Sequence, residues 1–178
     1  MKLVVGTEAM FFLSLITAFI YMAYTSGYEP HEVQQLDLTT TSIFTAILIS
    51  SSFTLLFAEH KYKRGNIKSL KLWLIVTIVL GTVFLIGQGK EYLRLIHENI
   101  MLGNSVFGSS FYALTGFHGL HVFIGLVILS IVLLLAFLGD FNKPSSVIST
   151  VAIYWHFVDV VWIFVFTVVY VLPHFTPF

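Results

Sequence analysis

At 178 residues, 57% hydrophobic and only 10% charged, the chain has too little polar surface to cover a water-soluble globule. Nine Lys and Arg balance nine Asp and Glu, so no basic stripe exists to neutralise phosphates, and nucleic acid is excluded as a partner. The absence of cysteine removes disulfides, thiolate catalysis, iron–sulfur ligation and c-type haem attachment.

The composition predicts an all-α, polytopic membrane helix bundle forming one transmembrane domain over residues 1–178. Crossing a hydrocarbon core of about 30 Å takes about 20 helical residues. Five apolar stretches reach that length: Leu3–Thr25, Leu38–Ala58, Leu70–Gln88, Ser109–Leu138 and Val147–Leu172. The first lacks an obvious cleavage site of small residues and is expected to be a retained helix rather than a signal peptide. The fourth is long enough to tilt or to project from the membrane. Aromatic residues make up 16% of the chain, with eighteen Phe for packing against lipid and neighbouring helices.

The connections are Ser26–Asp37 with Gly27 and Pro30, the basic run Glu59–Lys71, the polar segment Gly89–Gly108, and a turn, Gly139–Ser146, containing Pro144. They are short, so consecutive helices are expected to be antiparallel neighbours. Lys2, Lys61, Lys63, Arg64, Lys68, Lys71 and Lys143 fall on one side, Lys90 and Arg94 on the other. Because Lys and Arg are retained in the cytoplasm during insertion, this asymmetry places the N-terminus inside and the C-terminus outside. Glu29, Glu32 and Asp37 make the first external loop acidic. The run Lys61–Lys71 is expected to lie against the headgroups of anionic membrane phospholipids. Glu91 and Arg94 read as a solvated helical pair.

An ionisable side chain inside a span costs at least a few kcal/mol on insertion scales and needs a partner or a task. Five qualify: Glu8 in the first helix, His118 and His121 in the fourth, His156 and Asp159 in the fifth. Each of the last two pairs is three residues apart and so shares a helix face. Trp155, Asp159 and Trp162 extend the fifth-helix stripe, while Gly116, Gly119 and Gly125 would let another backbone approach the fourth helix, predicting a packed contact between helices four and five. These residues suit metal or haem ligation, a proton relay, or a hydrogen-bond network that glues the helices. The network fits better. A di-metal bundle site wants Glu from more helices than carry one here, and a bis-His haem wants imidazoles on facing helices, whereas two of three share one. Glu8 lies about 8 Å along the axis from Leu3, placed either to exchange protons or to hold a neighbour as a neutral acid. The Ser50–Ser52 run can bond back to its own helix and needs no functional account.

Several strings carry a resemblance: GTEAMFF (Gly6–Phe12), ISSSFT (Ile49–Thr54), GQGKEY (Gly87–Tyr92), FYALTGFHGLHV (Phe111–Val122) and YWHFVDVVW (Tyr154–Trp162). In this order and spacing they resemble subunit III of the haem-copper respiratory oxidases, in its short five-helix bacterial form. Longer relatives have two further N-terminal helices and a lipid-filled cleft, so cleft-lipid ligands do not carry over. Glu8, His118 and His121 match the family's buried polar positions, and His156 and Asp159 its fifth-helix motif.

The resemblance implies a subunit without haem, copper or catalytic residues of its own, docked in a prokaryotic inner membrane against catalytic subunit I, which holds those cofactors, and beside the other oxidase subunits. It implies support of subunit I and of its proton uptake, within a complex that reduces oxygen to water and pumps protons. The alternatives are an accessory subunit of nitric oxide reductase and an independent membrane haem protein.

Overall fold

The computed structural model describes residues 2–26, 36–100, 103, 106–139 and 146–175. Glu29, Glu32, Lys143 and the turn at Pro144 lie outside the described residues. Five helices are long and apolar enough to cross a membrane, and no strand occurs among the described residues. They are α1 (Lys2–Ser26), α2 (Leu38–Lys63), α3 (Ile67–His97), α4 (Val106–Leu138) and α5, which begins as Val147–Phe166 and continues through a π-turn, Thr167–Val171, into Leu172–Phe175. The chain is a multi-pass membrane protein.

The helices outrun the apolar stretches. Lys61 and Lys63 lie inside α2, and Lys90–His97, expected in a polar connection, complete α3. Hydropathy marks only the hydrocarbon slab, whereas a helix keeps its amides bonded into the headgroup layer as well.

Local chemistry sets the ends. Asp37 caps α2 by accepting from Thr40 N–H at 3.0 Å, and Asn66 caps α3 by accepting from Ser69 N–H at 3.0 Å. α2 stops where Gly65 takes φ 75°, its N–H bonding Tyr62 O at 2.8 Å while Asn66 N–H reaches Lys61 O at 3.0 Å. That paired pattern satisfies the last carbonyls of the helix. α3 ends the same way on Asn99, at φ 60°, with Ile100 N–H on Leu95 O and the Ile100 side chain buried. In α5, the π-turn ends two residues before Pro173, whose ring would meet the carbonyl four residues back in a regular α-helix.

The helices α2, α3, α4 and α5 form a closed ring, each packed on two neighbours, and the α2–α3 hairpin makes the most extensive contact. α4 and α5 pack together as expected. α1 departs from the expectation: it packs on α4 and α5 rather than beside α2. Only 11% of its apolar stretch is buried, against 50% for α5, so α1 is the peripheral helix. The buried side chains of α1, Phe12, Phe19 and Ala23, recur every seven and four residues and form one narrow stripe.

Candidate functional site

The five intramembrane ionisable groups do not converge. On α4, His118 is completely buried. Its ring stacks on Trp162, with centroids 4.6 Å apart, and meets the edges of Phe84 and Phe12. Neither of its ring nitrogens has a hydrogen-bond partner among the described residues. One turn on, His121 points instead to α1, where its Nε2 lies 3.0 Å from Glu8 Oε2. Its Nδ1 lies 2.7 Å from Phe117 O, and Tyr154 of α5 donates its hydroxyl to the His121 carbonyl at 3.2 Å.

That geometry assigns hydrogens. A backbone carbonyl only accepts, so the Nδ1 of His121 carries a proton. The Nε2–Glu8 contact then holds a single proton, either donated by a neutral acid or shared as imidazolium with carboxylate. The pair fastens the peripheral α1 to the ring, at a site where the Glu8 side chain retains 32% exposure.

The polar atoms of the α5 stripe bond to α2, while the rings of Trp155 and Trp162 pack on α4 at Gly125 and His118. Ser52 Oγ contacts both His156 Nδ1, at 2.8 Å, and Asp159 Oδ2. On either side, Trp155 Nε1–H donates to Ser51 Oγ and Trp162 Nε1–H to Thr45 Oγ1, each at 3.0 Å. Toward the basic end of the bundle, Ser149 donates to Glu59 Oε1 at 2.7 Å, and Lys63 pairs with the same carboxylate at 2.8 Å. The α2–α5 seam is therefore bridged at four levels.

Sequence reasoning missed the α2 side of this seam. Ser50 and Ser51 do bond back, to Ala46 O and Leu48 O, but Ser51 also receives Trp155, and Ser52 spends its hydroxyl entirely on α5. The available signal was that Thr45, Ser52 and Glu59 recur at seven-residue spacing, one helical face.

Glycines accept side chains here rather than another backbone. A Cβ at Gly81 or Gly125 would stand 2.8 or 2.9 Å from the Trp155 ring, so the two glycines form the slot that holds it. Gly116 and Gly119, expected to face a helix backbone, face α3 side chains: Tyr92 Oη at 3.6 Å and Gln88 at 3.3 Å from an added Cβ. Gln88 Nε2 donates to Thr115 O at 2.8 Å, and Tyr92 Oη meets Thr115 Oγ1 at 2.8 Å.

Glu91 and Arg94 are not a solvated pair. Glu91 is only 8% exposed; it takes Arg94 Nη2 at 2.6 Å and the Asp37 backbone N–H at 3.4 Å, tying the start of α2 to the end of α3. Arg94 also lies 3.4 Å from Asp37 Oδ2. The Asp37 carboxyl sits below its ordinary value, chiefly because Thr40 donates to it through both side chain and backbone.

Among the described residues no group of three or more His, Cys, Asp or Glu is placed to hold a metal ion. An apolar groove of about 590 Å³ runs between α1 and α4, lined by Leu15, Phe19, Met22, Val106 and Leu114.

Residues 1–173 match the protein family Cytochrome c oxidase subunit III. The chain belongs to that family. Among curated relatives of the family, the probable cytochrome c oxidase subunit 3 of Nocardia farcinica is 37% identical over 167 residues, covering 93% of this chain and 82% of its own length. Cytochrome c oxidase subunit 3 of Thermostichus vulcanus is 38% identical over 171 residues, 95% of this chain and 84% of its own. Quinol oxidase subunit 3 of Bacillus spizizenii is 38% identical over 170 residues, 94% and 82% respectively. Membership makes the chain a subunit of a cytochrome oxidase complex, an oxidoreductase.

Proposed function

We propose that this chain is a non-redox accessory subunit of a proton-pumping haem-copper terminal oxidase, which reduces oxygen to water, in a prokaryotic inner membrane. Its role is to stabilise catalytic subunit I, where haem and copper reside, and to support proton uptake by that subunit. The other oxidase subunits and membrane phospholipids are its further partners, and the apolar α1–α4 groove suits lipid tails. The observation that carries this reading is family membership over nearly the whole chain. The geometry supports it, since Glu8, His121, His156 and Asp159 are engaged by side chains of other helices.

Within that role, Glu8 and His121 act as a local proton store at mid-height of the bundle, where His121 stands 15 residues after Val106 and 17 before Leu138; the end that holds Lys61, Lys63, Arg64, Lys68 and Lys71 is the one we place in the cytoplasm. Isolating the native complex and identifying its largest subunit tests the assignment: a haem-copper subunit I is expected, and a nitric oxide reductase catalytic subunit in its place would refute it. A Soret band retained by the isolated chain would instead make it a haem protein in its own right.

A further inference from the structure

The Ser52 hydroxyl has one hydrogen and two close partners, His156 Nδ1 and Asp159 Oδ2. A hydroxyl in that position donates to one partner and must receive from the other. With the acid's proton inside the bridge and zero total charge, two arrangements satisfy it. In one, a protonated Asp159 donates to Ser52 and Ser52 donates to Nδ1 of a neutral imidazole carrying its hydrogen on Nε2. In the other, Ser52 donates to the Asp159 carboxylate and an Nδ1–H of imidazolium donates to Ser52. Passing from the first to the second moves one hydrogen from Oδ2 to Oγ and one from Oγ to Nδ1. No heavy atom moves and total charge is conserved.

We propose that Ser52, His156 and Asp159 form a partly buried proton-relay site on the α2–α5 seam, in which acid and imidazole share one proton through the hydroxyl. Adhesion alone does not explain the residue types. The adjoining levels of the same seam, Ser51 with Trp155 and Thr45 with Trp162, join the two helices with neutral groups, as does Thr54 with Thr77 between α2 and α3 at 2.8 Å. Neutral pairs avoid the cost of an ionisable group in hydrocarbon. The site also keeps open valences: among the described residues, His156 Nε2 and Asp159 Oδ1 are buried with no hydrogen-bond partner.

Glu59 is the charged group of α2 next along the helix, two turns or about 10 Å of axial rise from Ser52, where Lys63 and Ser149 hold it. On the other packed elements, His118 and His121 of α4 and Glu8 of α1 are engaged with Trp162, Phe117 and one another.

Infrared spectra of the purified complex that contains this chain, recorded as a function of pH, test the relay. The expected result is a protonated-carboxyl stretch that shifts in heavy water, vanishes in Asp159→Asn, and titrates with a proton affinity changed at least about tenfold by Ser52→Ala and by His156→Gln. Ser52→Thr, which keeps the hydroxyl, leaves the midpoint near that of the wild type. A wild type without any band that Asp159→Asn removes overturns the proposal, and so does an unchanged midpoint in Ser52→Ala. Should Ser52→Ala fail to assemble, an unchanged midpoint in His156→Gln overturns it equally.

Discussion

Trp155 fills a slot whose two walls are the bare Cα positions of Gly81 and Gly125, and its indole N–H ends on Ser51. Gly125→Ala is expected to lower the thermal stability of the purified complex by roughly 1–3 kcal/mol, because the rigid ring cannot yield to a methyl group. Gly116→Ala, which meets only Tyr92 Oη at an ordinary distance, is expected to leave stability unchanged. Glu8 separates two roles in a similar way. Glu8→Gln keeps a donor for His121 Nε2, so the complex should assemble with little loss of initial oxygen consumption. Glu8→Leu removes the donor and should loosen α1, seen as loss of this chain during detergent purification. Failure of haem incorporation in Glu8→Gln would contradict the accessory role.

At the scale of elements, the loop chemistry is as specific as the packing. Gly65 at φ 75° has open space around an added Cβ, so Gly65→Ala tests backbone strain alone. Its expected cost is about 1–2 kcal/mol, the left-handed penalty for a residue with a Cβ, read as a lower melting temperature of the complex. The α2 cap carries a pH signature. Because the folded Asp37 carboxyl lies below its unfolded value, its contribution to stability is complete above about pH 4 and is lost as pH falls through the folded value. Asp37→Asn retains a capping oxygen but no titration, so the acid-side loss of stability should be shallower in that variant. A wild type and an Asp37→Asn with superimposable acid profiles would show that the cap does not titrate in this range.

The whole molecule is a ring of four helices with a fifth leaning on it, and its two ends differ in charge. The absence of native cysteine makes single-cysteine mapping direct. A cysteine at Arg64 should be closed to an impermeant maleimide added outside intact cells and open in inverted vesicles, while a cysteine at Glu98 should show the reverse. The opposite result would invert the proposed orientation.

Helix number and type were legible in the residues themselves, because twenty consecutive apolar side chains in a bilayer leave the backbone no partner but its own helix. The ionisable residues stood out for the same reason: hydrocarbon makes each of them expensive wherever it lands. Their partners did not stand out. Whether His121 meets Glu8 or Asp159, and whether the α5 stripe turns to α4 or α2, depends on how five cylinders are rotated and arranged, and lipid-facing and helix-facing sides of such helices are equally apolar. Ser51 and Ser52, which look self-satisfied in sequence, turned out with Thr45 to hold α5 in place. The chain's composition thus determined that it spans a membrane and which side chains needed an explanation there. Only the tertiary arrangement decided which helix answers each of them, since that choice comes from side-chain fit and paired hydrogen bonds rather than from hydrophobicity.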